Sequence, residues 1–172
     1  MAIQKKKNSI DEVSTEINVK ELLGGLSKER DVREAFFELA LEKMVDRINS
    51  GRDVNGVLFK KYSKEYKDSL AFNAFDKSST VNMQLSGDML AAVNILNQDS
   101  SKLKVGINSD EAPKAYNHQV GDTLPQREWF GWKDSELKSI AREFRPATDG
   151  EPSINDVQII NLLDRLLANE ES

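Results

Sequence analysis

The sequence predicts an α+β domain: a long N-terminal helix and further helices packed on a small, mainly antiparallel sheet, with an extra terminal arm and a C-terminal helix. Three observations carry this. Between Glu29 and Ser50, apolar residues recur at helical spacing on more than one side. Two short stretches, Val81 to Leu85 and Leu103 to Ile107, alternate apolar with polar residues as half-buried strands do. Near the end, Leu137, Ile140, Ala141 and Phe144 form another helical stripe, which Pro146 stops. A chain of 172 residues is long enough for one domain with tails. The expected division is an arm over residues 1–28, a domain over 29–146, and a linker with a terminal helix over 147–172.

The arm begins with Lys5, Lys6 and Lys7, stays polar, and closes on Leu22, Leu23 and Leu26, where Gly24 and Gly25 would end a short helix. In the long helix, Val32, Phe36, Leu39, Lys43 or Met44, and Ile48 mark one stripe, and Phe37, Leu41 and Val45 widen it until Gly51 gives the stop. Asn55-Gly56 suits a chain reversal before Phe59. Tyr62, Tyr66 and Leu70 then fall at spacing four on a short helix.

The first strand runs into a helix of about three turns, capped by Ser86 and favoured by Asp88, with Met89, Ala92, Val93 and Leu96 inward. The second strand follows it. A short helix is expected from Asp110 to Val120, with Pro113 in its first turn. Ser135 can cap the next helix, and ATDGEPSIND reads as a linker. The last helix, capped by Ser153, carries Val157, Ile160, Leu163 or Leu162, and Leu166 or Leu167 at helical spacing, so it should dock on its own domain or on a neighbouring copy.

Composition excludes several classes. No apolar run reaches the roughly 18 residues that a membrane span requires. The basic start lacks the apolar stretch of a secretion signal. Without cysteine there are no disulfides, thiolate metal sites or cysteine nucleophiles, and a cytoplasmic origin fits. The net charge of −5 supplies no basic footprint for gripping nucleic acid.

Between Tyr116 and Lys133, the stretch YNHQVGDTLPQREWFGWK gathers both tryptophans and the only histidine. Trp129, Phe130 and Trp132 can each bury roughly 150–250 Å², so this is a core-sealing corner or an interface. No phosphate loop, nucleophile elbow, zinc pair or dinucleotide fingerprint occurs, so an enzyme, a cofactor and a metal are not expected. A small hydrolase would have to use His118 with Asp122 four residues on; hydrogen bonding of His118 within the corner is the favoured reading. Carboxylates such as Glu42 and Asp46 sit on a wet helix face. Arg127 could stack on a ring, bridge a partner's carboxylate or bind phosphate, with a structural contact favoured. A nucleic-acid accessory factor would work through Lys5 to Lys7, for which a solvated terminus is the simpler reading.

Three patches together resemble a known family. DVNGVLFKKYSKEYK is similar to a turn after a long helix followed by an aromatic, a Ser or Thr and spaced tyrosines. LSGDMLAAV is similar to a Leu-(Ser/Thr)-Gly-x-(Met/Leu) signature after a strand. YNHQVGDTLPQREWFGW is similar to Tyr-x-x-His-x-x-Gly joined to Pro-x-Arg-x-(Phe)-x-Gly, with Trp129 where Phe is more usual. Their order and spacing resemble the phage virion morphogenesis, or tail completion, family of Mu type over Asp31 to Phe144.

The resemblance implies a non-enzymatic virion part of the neck and tail end. It would form a homo-oligomeric ring, six-fold by analogy with tail symmetry, that completes the tail and connects it to the head. Implied partners are its own copies, tail tube or sheath proteins, and head-closure or connector proteins, with DNA passing through the channel unbound and no membrane. It would be assembled in the host cytoplasm and located in the virion. Gly56, Phe59, Tyr62, Tyr66, Leu85, Gly87, Met89, Tyr116, His118, Gly121, Pro125, Arg127, Phe130 and Gly131 match the family positions; with Trp129 they are expected to determine the fold and the ring interface.

Overall fold

The computed structural model describes residues 4–74, 80–82, 87–121 and 124–144. Within them the α+β expectation holds: helices pack on one face of a four-stranded antiparallel sheet of order β1-β2-β4-β3. The strands are β1 (Gln4–Ser9), β2 (Glu12–Ile17), β3 (Asn94–Gln98) and β4 (Leu103–Ile107). The helices are α1 (Val19–Leu23), α2 (Arg30–Asn49), α3 (Lys64–Lys67), α4 (Leu70–Ala74), α5 (Asp88–Ala91), α6 (Ala112–Val120) and α7 (Asp134–Phe144). A 3-10 turn over Gly24–Lys28 links α1 to α2.

Register decides the two faces of the sheet. Val13, Thr15 and Ile17 stand opposite Ile107, Val105 and Leu103, and all six are buried against the helices. The alternate residues form a charged outer face, where Lys104 and Lys7 both pair with Glu12 and Lys102 pairs with Glu16. Gly106 lies opposite Ser14 on that face; a Cβ there would meet the Val13 carbonyl oxygen and the Ser14 backbone, so β2 and β4 meet only because this residue has no side chain.

The long helix is α2, close to its expected bounds. Arg33, Ala35, Phe36, Phe37, Ala40, Met44 and Ile48 are buried along it, which accounts for its apolar residues on several sides. Gly51, with φ of 73°, turns the chain out of α2, and its carbonyl accepts from the Phe59 amide at 2.7 Å. α7 lies across α2, with Phe144 edge-on to Phe36 at 5.8 Å, and its buried residues are Leu137, Ile140, Ala141 and Phe144 as the stripe predicted. α6 covers β1 and β2, and carries its proline in the first turn.

Four expectations require correction. Residues 4–23 are not a detached arm: β1 and β2 form a hairpin, β2 is an interior strand, and Val13, Ile17, Val19, Leu22 and Leu23 belong to the core. The alternation in β2 is hidden because its middle inward position is Thr15, and β1 is a polar edge strand, where lysine discourages pairing with other chains. The helix expected after Ser86 is a single turn, α5, after which the chain extends as β3. Met89, Ala92, Val93 and Leu96 imitate one helical face across two elements, but Val93, Asn94, Ile95 and Asn97 are poor helix formers and β4 offers an edge. Finally, Leu70 is 89% exposed and does not share a face with the tyrosines. Val81 and Asn82 are not in a strand; the rest of the strand expected there, and the helix expected after the linker, lie outside the described residues.

Candidate functional site

The aromatic stretch leaves α6 through Gly121, whose φ of 76° is left-handed and where a Cβ would lie 2.5 Å from the Gln126 side chain. The loop doubles back on the helix it has left. Arg127 N donates to the His118 carbonyl at 2.7 Å, and the Phe130 amide donates to the Gln119 side-chain oxygen at 3.1 Å. This return places Trp129, Phe130 and Trp132 in the interior of the fold, with Phe130 edge-on to Trp129 at 5.4 Å and to Trp132 at 6.1 Å. Both indole N–H groups are satisfied by backbone: Trp132 donates to Ala40 of α2 at 2.7 Å and Trp129 to Ala115 of α6 at 3.4 Å. Of the two readings offered for the rings, the core-sealing corner is the one observed; they are not exposed to face another copy.

Two arginines engage this corner, Arg127 buried and Arg47 partly buried. Arg47 of α2, which sequence reasoning passed over, donates from Nη1 to both oxygens of Glu136, at 3.0 and 2.9 Å, and from Nη2 to the carbonyls of Trp129 at 3.0 Å and Gly131 at 2.8 Å. It ties α2, the loop and α7 together. The available signal was an arginine directly before inward-facing Ile48 on a helix apolar on several sides.

Arg127 lies on the other contact network. Its guanidinium stands 5.6 Å from the centroid of the Tyr62 ring. One terminal nitrogen is 3.3 Å from His118 Nδ1, and the other donates to the Lys60 carbonyl at 3.3 Å. Tyr62 in turn packs on Tyr66 at 5.1 Å and Phe72 at 5.7 Å, and Tyr66 meets Phe72 at 5.5 Å. Phe72 therefore fills the place expected for Leu70. It sits two residues further on because α3 ends after Lys67 and α4 starts a new axis.

Electrostatics follow from this packing. Burial first, then the nearby charges of Arg127 and Lys114, bring His118 down from 6.5 to about 4. The imidazole is thus neutral at ordinary pH. Since Arg127 can only donate, Nδ1 is the acceptor and the ring proton resides on Nε2. Burial also raises the Tyr62 phenol, and burial lowers both Arg127 and Arg47 without removing their charge.

The other expected residues have mixed positions. Gly56, with φ of 81°, forms the tip of an exposed turn and its carbonyl accepts from Arg52. Phe59 and Met89 are core residues, Gly87 with φ of 91° starts α5, and Tyr116 packs partly buried against the core. Pro125 is exposed, whereas Gly131 is buried with its carbonyl on Arg47. Leu85 and Asp122 lie outside the described residues. Of the lysine triplet, Lys7 pairs with Glu12 at 3.2 Å.

Among the described residues, no group of three or more His, Asp or Glu side chains is placed to hold a metal ion. No described helix is long and apolar enough to cross a membrane. A scan against protein-family models and searches of the curated proteins and of the solved structures find no match to this chain.

Proposed function

We propose that this chain is a non-enzymatic structural subunit of the neck and tail end of a phage virion, forming a homo-oligomeric ring that completes the tail and connects it to the head. The observation that carries the reading is spatial. The patches that resemble the tail completion family, far apart in sequence, pack into one region. Val54 N donates to the Glu128 carbonyl at 2.8 Å, Lys60 and Tyr62 hold Arg127, and α5 with Met89 packs against α6 with Tyr116 and His118. Residues that resemble a family signature and also contact one another support a shared fold more strongly than the same residues scattered would.

The ring contacts fall to other residues than the buried rings. Val57 and Leu58 are 62% and 65% exposed on the turn that Val54 fastens to the corner. A cyclic assembly joins unlike patches on successive copies, and this turn offers one of them. The partners of the reading are its own copies in a six-fold ring, tail tube or sheath proteins on one side and head-closure or connector proteins on the other. DNA passes through without specific binding.

The test is native mass measurement of the purified protein, together with co-sedimentation with tail tubes. The reading expects a closed ring or a concentration-dependent approach to one, and retention on tubes. A protein that stays monomeric at every concentration and does not associate with tubes refutes it.

A further inference from the structure

A guanidinium brings five N–H donors and a permanent charge, and burying either without a partner is costly. Arg127 is only 6% exposed, yet it is poorly matched. Its two side-chain contacts are both 3.3 Å, longer than the roughly 2.7–2.9 Å of good charge-assisted bonds. Its buried Nε has no partner. None of the ion pairs among the described residues includes it. The nearest ionisable ring, His118, is turned toward it through an acceptor nitrogen and so cannot supply negative charge, and Lys114 adds to the positive field there. Arg47, partly buried in the same corner, also leaves its Nε without a partner, but its terminal nitrogens meet both oxygens of a carboxylate and two carbonyls, so its charge is answered within the fold.

We propose that Arg127 is the receptor of a small-oxyanion site, taking a carboxylate or a phosphate group. The anion approaches past His118, Tyr62 and Tyr66, whose side chains are only partly buried, and accepts from the terminal N–H groups other than those directed at His118 and Lys60. The Tyr62 ring holds the guanidinium plane from one side, so its donors stay in a fixed fork. This proposal is independent of the ring assembly described above.

Because His118 is the only histidine, its imidazole resonances report the local field without ambiguity. The full chain is titrated by NMR in chloride, then with inorganic phosphate, and separately with acetate, while the Arg127 Nε–H resonance is followed. The expected result is a saturable shift of that resonance together with a rise of the His118 midpoint by about one pH unit, since a bound anion offsets the neighbouring cation. A response to acetate alone identifies a carboxylate site, and to phosphate alone a phosphate site. In folded Arg127→Gln the response should vanish; a response of undiminished size there overturns the proposal. So does an absence of any saturable shift with either anion in the unaltered chain. The proposal also fails if anions do nothing and Asp122→Asn lowers the His118 midpoint, because the counter-charge is then the chain's own.

Discussion

Arg127 is buried and Arg47 partly so, both touch the loop that carries the tryptophans and both leave Nε unpartnered, but their terminal nitrogens are matched very differently. Arg47 meets a carboxylate through two bonds near 2.9 Å and caps two carbonyls. Arg127 meets a neutral imidazole, one carbonyl and a ring face, all at longer range. The difference teaches that burial alone does not make a charge structural. A cation answered by a carboxylate is a lock; a buried one with no counter-charge costs stability and is retained for a reason other than the fold.

This contrast can be broken at several points. The largest effect should come from Arg47→Met, which leaves Glu136 unpaired and uncaps the carbonyls of Trp129 and Gly131. A loss of about 3–4 kcal/mol is expected in urea unfolding. If Arg47→Met costs no more than Arg127→Met, the distinction between lock and open site fails.

Next is acid sensitivity. The folded value of His118, about 4, lies below the ordinary 6.5, so between these values the unfolded chain binds more protons. The stability that depends on a neutral His118 is complete above about pH 6.5 and is lost as pH falls toward 4, with a total of about 3 kcal/mol. His118→Gln should flatten that part of the stability-against-pH curve. Arg127→Met should narrow the window by removing one of the causes of the shift; an unchanged curve would show that Arg127 does not act on His118.

Smaller still is the direct effect of Arg127→Met on stability at neutral pH, about 1 kcal/mol in either direction, because lost packing is offset by removal of a poorly paired buried charge. The smallest is Val57→Ser with Leu58→Ser. Thermal unfolding should move by less than about 0.5 kcal/mol equivalent, since both side chains are exposed. Native mass measurement should nevertheless show weaker assembly. An unaltered oligomer would remove this turn from the proposed ring contact.

The elements that the sequence made legible are those whose periodicity is set by one dominant burial: α2, α6, α7 and β4, each ending at a glycine, proline or polar turn. The corner was legible as well, because three large rings beside one arginine cannot be left in water cheaply. What was missed shares a cause. The β1–β2 hairpin has a polar edge strand and a threonine in its inward row, and β3 has only one strongly inward residue, Ile95, and an irregular register beside it. Such strands are specified by the partner they pair with, and the partner is distant in sequence. Phe72 and Arg47 were missed for the same reason: their place depends on where the axis of one short helix ends and where a loop from far along the chain returns.

The sequence by itself determined the class of the fold, the long helix, the seat of the tryptophans and the lack of thiol chemistry, because apolar spacing and residue type act locally. Only the tertiary structure decided that the first twenty or so residues build the sheet, that the rings face inward, and which arginine is matched. Those outcomes depend on pairing and charge contacts between segments many residues apart, and local spacing does not encode them.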